Sequence, residues 1–180
     1  MSWQIDNAHS KVGFHVRHMM VSKVRGSFEA FGGEFRFDPD NPADAFVNIS
    51  IDAKSINTGV ADRDGHLRSP DFFNVETYPE LTFVSKRVEQ TGDGQGRLIG
   101  DLTMAGTTRE VTLDVTYFGT QINPMSGAMT AGFSATTSIS RKEFDLTWNV
   151  ALESGGWLVG DKITIEIDLE AFKMPVSETA

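Results

Sequence analysis

Cysteine is absent from this chain of 180 residues. That removes thiol nucleophiles, Cys-ligated zinc and any disulfide framework, and it leaves the redox compartment open, since a cysteine-free chain is at home in either. Long apolar runs are missing as well. No stretch exceeds three consecutive residues of the apolar set, so the sequence predicts no integral membrane span, and the opening M-S-W-Q-I-D-N-A-H-S-K carries no signal-peptide h-region. Taken as written the protein reads as cytoplasmic, or as periplasmic if the start is that of a mature or truncated form. Positive charge is in deficit: Lys and Arg number 16 against 25 Asp and Glu, for a net charge of -9. That balance repels phosphate backbones and anionic membrane surfaces and argues against a nucleic-acid partner.

Catalytic and metal motifs are also lacking. His9, His15, His18 and His66 show no H-E-x-x-H or His-rich spacing, and strand parity sends His15 and His18 to opposite faces. There is no G-x-S-x-G elbow. G-D-G-Q-G at 92–96 lacks the GKS/T ending and a following helix, so it reads as a hairpin turn. No metal and no cofactor are expected.

What the chain does have is period-two alternation. Val12, Phe14, Val16 and His18 share one face, opposed by Lys11, His15 and Arg17; Val24, Gly26 and Phe28 oppose Lys23, Arg25, Ser27 and Glu29. Val47, Ile49 and Ile51 alternate with Asn48, Ser50 and Asp52. Leu81–Val88, Leu98–Met104, Val111–Tyr117, Ala131–Ile139 and Ile163–Ala171 complete the set, with turn signals such as Gly32-Gly33, Asp93-Gly94 and Gly155-Gly156 between them. About eight antiparallel strands must stack as a sandwich or close as a barrel, and closure alone removes exposed edges. At 180 residues the chain can bury a sizeable core. Periodicity fails over Lys173–Ala180, so residues 1–173 are read as one domain and 174–180 as a disordered tail.

One segment breaks the pattern. Ala61–Asn74, A-D-R-D-G-H-L-R-S-P-D-F-F-N, gathers Arg63, Asp64, His66, Arg68 and Asp71 beside Phe72 and Phe73. It predicts a short helical or irregular crossover, with Ser69-Pro70 as the N-cap and first position of a second turn over Pro70–Val75.

The motifs in order carry a resemblance. W-x-I-D-x-x-H-S (Trp3, Ile5, Asp6, His9, Ser10), F-x-V-x-H-M from Phe14 to Met19, G-S-F at Gly26–Phe28, R-D-x-H-L-R-S at Arg63–Ser69 and D-F-F at Asp71–Phe73 open the series. Y-P-x-L-T-F at Tyr78–Phe83, G-D-L-T-M-x-G at Gly100–Gly106, R-x-x-F at Arg141–Phe144 and V-G-D at Val159–Asp161 complete it. Together they resemble the YceI-like family over nearly the whole chain. The resemblance implies an all-β fold, an extended lipocalin-like antiparallel barrel holding a polyisoprenoid chain, and a binding protein rather than an enzyme. One departure is Asp145, where the family more often has Gly; it bears on a local turn and not on the fold.

On this reading, Phe14, Val16, Phe28, Val47, Ile49, Phe83, Leu102, Leu113, Val115, Phe133 and Ile165 line one apolar tunnel, because they share parity within their strands. His18, Arg63, His66, Arg68 and Arg141 are the expected head-group donors, chosen for charge and clustering. The expected partner is a long-chain isoprenoid or fatty amphiphile, a polyprenyl lipid or a quinone; a homodimer is compatible with the sequence. An isoprenoid tail offers several hundred Å² of apolar surface, whose burial at about 25 cal/mol per Å² contributes on the order of 10 kcal/mol gross. Two other readings stay open: a lipid-modifying enzyme using His66, Asp64 or His18 as acid or base, and a stress-related interaction module with a packed core.

Overall fold

The computed structural model describes residues 2–174, so the tail expected over 174–180 falls, apart from Met174, outside the described residues. The strands are β1 (Ser2–Ile5), β2 (Lys11–His18), β3 (Ser22–Phe28), β4 (Phe31–Arg36), β5 (Phe46–Asp52), β6 (Ile56–Asn57), β7 (Glu80–Gly92), β8 (Gln95–Met104), β9 (Thr107–Ile122), β10 (Met129–Ser140) and β11 (Val159–Lys173); one helix, α1 (Ala61–Arg68), follows β6. Every pairing is antiparallel, in the order β1-β4-β5-β7-β8-β9-β10-β11-β2-β3-β6, and β1 also pairs with β11. That extra pairing closes the sheet. The pairs β1/β2, β3/β4 and β5/β6 are each one long stave interrupted, so eleven strands make an eight-stave barrel, and closure prevails over the sandwich alternative.

The interruptions have identifiable chemistry. Between β1 and β2 the chain makes a 3-10 turn over Asn7–His9, capped by the Asp6 carboxylate, which accepts the N–H groups of Ala8 and His9. Ser10 then replaces a ladder bond: its hydroxyl donates to the Glu170 carbonyl at 3.2 Å and accepts the Glu170 N–H at 3.0 Å. The D-x-x-H-S stretch is thus a device that lets one strand edge of β11 serve two short strands. β1 itself carries no periodic signal, because four residues are too few to establish alternation.

The two barrel ends differ. At one end Trp3, Phe35 and Phe37 are buried with Ala131 and Ala171, and Phe133 and Tyr117 pack against them. Phe133 meets Phe35 and Phe37 edge-on at 5.3 and 5.0 Å between ring centroids, and Trp3 Nε1 donates to the Phe37 carbonyl at 2.8 Å. This aromatic plug seals the end where β4, β9 and β11 connect or finish. The opposite end carries the β2–β3 turn, α1 and the irregular segment 145–158.

The crossover departs from expectation in its second half. Ala61–Arg68 is helical as predicted, but Pro70–Val75 is a series of turns. Ser69 is the C-cap of α1, its N–H returning to the His66 carbonyl, and Asn74 enters left-handed space at φ 48°, so no second helical turn can propagate. Within the segment, Asp64 is buried, and its Oδ1 accepts both the N–H of Thr58 (2.9 Å) and the Thr58 hydroxyl (2.5 Å). Replacing Asp64 with Ala leaves those donors unpaired and is expected to cost about 1–3 kcal/mol in urea denaturation.

Asp145 closes the 3-10 turn Arg141–Phe144 at φ 59° and ψ 20°, a left-handed position that Gly occupies without a Cβ penalty. Position 145 is therefore one where glycine is physically favoured. Asp145→Gly is expected to stabilise the protein by about 0.5–1 kcal/mol, read as a higher denaturation midpoint at unchanged slope.

Candidate functional site: an apolar cavity with a polar mouth

The barrel encloses a cavity of about 590 Å³. Phe14, Val16, Phe28, Val47, Ile49, Phe83, Leu102, Leu113, Val115, Phe133 and Ile165 all line it, so every inward face assigned by parity meets one interior. Several of these, among them Val47, Ile49, Val115 and Ile165, are packed on the core yet only partly buried. The reason is that their free surface faces the void and not bulk solvent. A fully packed interior is ruled out for this molecule, and the volume falls within the range of ordinary small-molecule sites. The floor is Phe35 and Phe133, backed by the plug. Gly26 makes room along the wall: a Cβ there would stand 2.5 Å from the Phe14 ring, which instead reaches Phe28 at a centroid distance of 5.7 Å.

Polar groups gather at the other end. Arg17, His18, Thr58, Asp62, Arg63, His66, Arg141 and Trp148 border the cavity there. Arg63 donates from Nε to the Thr58 hydroxyl and from Nη2 to the Thr58 carbonyl, both at 2.7 Å. Among the described residues its Nη1 has no protein acceptor, and the His18 ring has no hydrogen-bond partner. His66 is held in place by Asp71, at 2.9 Å from Nε2, and by edge-on rings of Phe72 (5.1 Å) and Trp148 (4.6 Å). One face of α1 thus presents a partly satisfied guanidinium and an anchored imidazole to the mouth.

Two of the expected head-group donors are corrected. Arg68 does not border the cavity; it donates from Nε to the Lys54 carbonyl at 3.0 Å and from Nη2 to the Ile56 carbonyl at 3.1 Å, tying α1 to the β5–β6 stave. Helical geometry separates it from Arg63: five residues is well past one turn, so the two cations leave α1 in different directions. Arg141 reaches the cavity wall but is only 2% exposed and is spent on backbone, donating to the carbonyls of Leu146 (2.6 Å), Trp148 (2.9 Å), Gly160 (2.9 Å) and Val159 (3.3 Å). Burial lowers its pKa, and the Asp161 carboxylate opposes that shift. Burial would raise the Asp161 pKa, yet hydrogen bonds from the Ser140 hydroxyl and the Lys142 N–H hold it below the usual carboxylate value. The R-x-x-F and V-G-D motifs are the two halves of one clamp on segment 145–158.

The acid–base reading loses Asp64, whose carboxylate is held by Thr58 and does not border the cavity. Among the described residues, metal-ligating atoms converge at Asp6, His9 and Glu170, within 4.8 Å of one another, on the outer surface. The hydrogen bond between the His9 ring and Asp6 lowers the Asp6 pKa and raises that of His9, and Asp6 is already the cap of its turn. Parity reasoning missed Trp148, Leu158, Asp62 and Thr58 because they lie in non-periodic segments, where no face can be assigned from sequence.

The YceI-like domain model matches residues 3–171. A UPF0312 protein of Staphylococcus aureus (strain USA300) is 37% identical over 169 residues, covering 94% of this chain and 96% of that protein. Among solved structures, BcnA of Burkholderia cenocepacia superposes with a TM-score of 0.79 at 27% identity, covering 92% of this chain and 98% of that one. A polyisoprenoid binding domain from Saccharophagus degradans shares the fold, with a TM-score of 0.65 at 15% identity over 96% of this chain and 98% of that one.

Proposed function

The chain belongs to the YceI-like family, and from that premise we propose that it binds a polyisoprenoid or similar long-chain amphiphile, tail in the cavity and head group at the mouth, as carrier or store and not as catalyst. The observation that carries this reading is the apolar cavity running continuously from an aromatic floor to a polar rim. Such a shape matches a ligand that is apolar over most of its length and polar at one end. The Saccharophagus degradans domain of the same fold is described as polyisoprenoid binding, which supports the same class of ligand here. Arg63 and His18 are the head-group donors this reading selects, because both border the cavity with donors left over. Native mass spectrometry of freshly purified protein, followed by organic extraction, tests it directly. A co-purifying isoprenoid or fatty amphiphile is the expected result; protein that is empty and takes up no added polyprenol overturns the proposal.

The head-group assignment has its own test. Arg63→Ala is expected to weaken binding of a polyprenyl phosphate by about tenfold to a hundredfold while changing that of the corresponding alcohol little, since a charge-assisted hydrogen bond is worth about 1.5–3 kcal/mol. Arg68→Ala is expected to leave both affinities unchanged and to lower stability by about 1–2 kcal/mol, through two unpaired carbonyls. Equal effects of Arg63→Ala on phosphate and alcohol would remove Arg63 from the site.

A further inference from the structure

The mouth is ringed by apolar side chains that face outward. Met19, Met20 and Val21 at the β2–β3 turn are 46%, 66% and 78% exposed, and Val150 and Trp157 in the adjoining segment are 47% and 53% exposed. The two segments form one surface. Met19 N–H donates to the Leu158 carbonyl at 2.7 Å, Leu158 N–H donates to the Val150 carbonyl at 2.9 Å, and Met20 covers Gly156 so closely that a Cβ there would run into its sulfur. Leu158 and His18, immediate neighbours of these exposed groups, line the cavity. An apolar path therefore leads from the outside of the rim to the inside of the barrel.

The charges beside this rim run against the chain's average. Residues 15–28 contain no Asp or Glu, and include Arg17, Lys23 and Arg25. Arg17 faces Lys23 across the β2–β3 ladder, just behind the apolar turn. Among the described residues Arg17, Lys23 and Arg25 make no ion pair. Two like charges held opposite each other without a carboxylate are unfavourable in the free protein, and an anionic surface relieves them. Acids are present at this end as well, Asp62 on α1, Asp71 beside His66, Glu153 in the loop and Asp161 at the start of β11, and the β4–β5 connection beside the plug carries Asp38, Asp40 and Asp44. That connection lies roughly 25 Å away, the length of an eight-residue strand. At physiological salt a charge is screened within about 8 Å, so a surface that meets the β2–β3 turn feels the basic hairpin directly behind it and little of the acids at the far end.

We propose that the rim formed by Met19, Met20, Val21, Val150 and Trp157 docks the protein, mouth first, onto a bilayer containing anionic lipid, so that an amphiphile passes between membrane and cavity without crossing water. Apolar tips backed by cations, with a Trp at headgroup depth, are the chemistry of an interfacial anchor. The purpose of docking rests on the amphiphile-binding reading, but its detection does not.

The test is co-sedimentation with sucrose-loaded vesicles of phosphatidylcholine with and without phosphatidylglycerol, together with quenching of tryptophan fluorescence by lipids brominated near the headgroup. Wild-type protein is expected to sediment with phosphatidylglycerol vesicles and to be quenched, and Trp157→Phe to lose most of the quenching. Met20→Asp with Val21→Asp is expected to lower vesicle affinity by about tenfold or more. Lys23→Glu with Arg25→Glu is expected to do the same at low salt, where high salt weakens the wild type equally. Uptake of a fluorescent fatty acid in vesicle-free solution is expected to be unchanged in both double variants, since none of the four residues lines the cavity. Wild-type protein that ignores vesicles, or a tip variant that binds them as tightly as wild type, overturns the proposal. So does sedimentation velocity showing a dimer that the tip variant dissociates, which assigns the rim to a second copy of the chain. Vesicle docking by a protein that takes up no fatty acid upholds the docking proposal and overturns the amphiphile-binding reading alone.

Discussion

Arg141→Met is expected to destabilise the protein strongly. The buried guanidinium donates to four carbonyls in two stretches, 146–148 and 159–160, and so holds the irregular segment 145–158 against the start of β11. Methionine fills part of the volume but donates nothing. The Val159 carbonyl keeps the Asn149 amide as a donor at 2.7 Å, so three carbonyls lose their partner; at about 1–3 kcal/mol each the loss is at least about 3 kcal/mol, a large part of the 5–15 kcal/mol that typical domains possess. Arg141→Lys is expected to recover little, because a single ammonium cannot reach acceptors spread around a planar fork. Urea denaturation measures the loss, and limited proteolysis within 149–157 locates it. A variant with wild-type stability would mean that water or a rearranged backbone satisfies those carbonyls, and the clamp would lose its role.

The second large effect is on binding. Ala135 lies on the inner face of β10, between Val115 and Ile167 on the neighbouring strands, and borders the cavity. Ala135→Trp is expected to fill the tunnel midway. A Trp side chain occupies the place of roughly 100–200 Å² of ligand surface, about 2.5–5 kcal/mol, or roughly a hundredfold to several thousandfold in affinity for a long polyprenol. Thermal stability is expected to hold or rise, because the added atoms enter space that is empty and not already packed. Ile165→Trp serves as the second variant should Ala135→Trp fold poorly. Wild-type affinity for polyprenol in a folded variant of either kind would put the ligand somewhere other than the cavity.

These two residues mark different kinds of legibility. Ala135 belongs to a strand whose alternation assigns its face, as alternation does for the wall residues from Phe14 to Ile165. Arg141 reads from sequence as a head-group donor because a cation near apolar sequence invites a ligand. Its real acceptors are main-chain carbonyls up to 19 residues away, and a carbonyl has no letter in a sequence. Arg63 and Arg68 show the same limit within one helix. Both read as cations of one cluster, and only their hydrogen-bond partners separate the one at the mouth from the one fastened to the β5–β6 stave.

The sequence by itself determined the class of fold, the inward faces and the absence of thiol chemistry, because period-two alternation and composition are local properties that survive without knowledge of partners. The family membership was legible for a related reason: short motifs such as D-x-x-H-S and V-G-D encode caps and clamps that must recur wherever the staves break in the same way. Tertiary structure alone decided that the sheet closes, that an aromatic plug seals one end, that the interior stays open, and which cations face the mouth. Closure depends on β1 pairing with both β4 and β11, and cavity volume on how all eight staves tilt against one another. Those are sums over contacts distant in sequence, and no local pattern contains them.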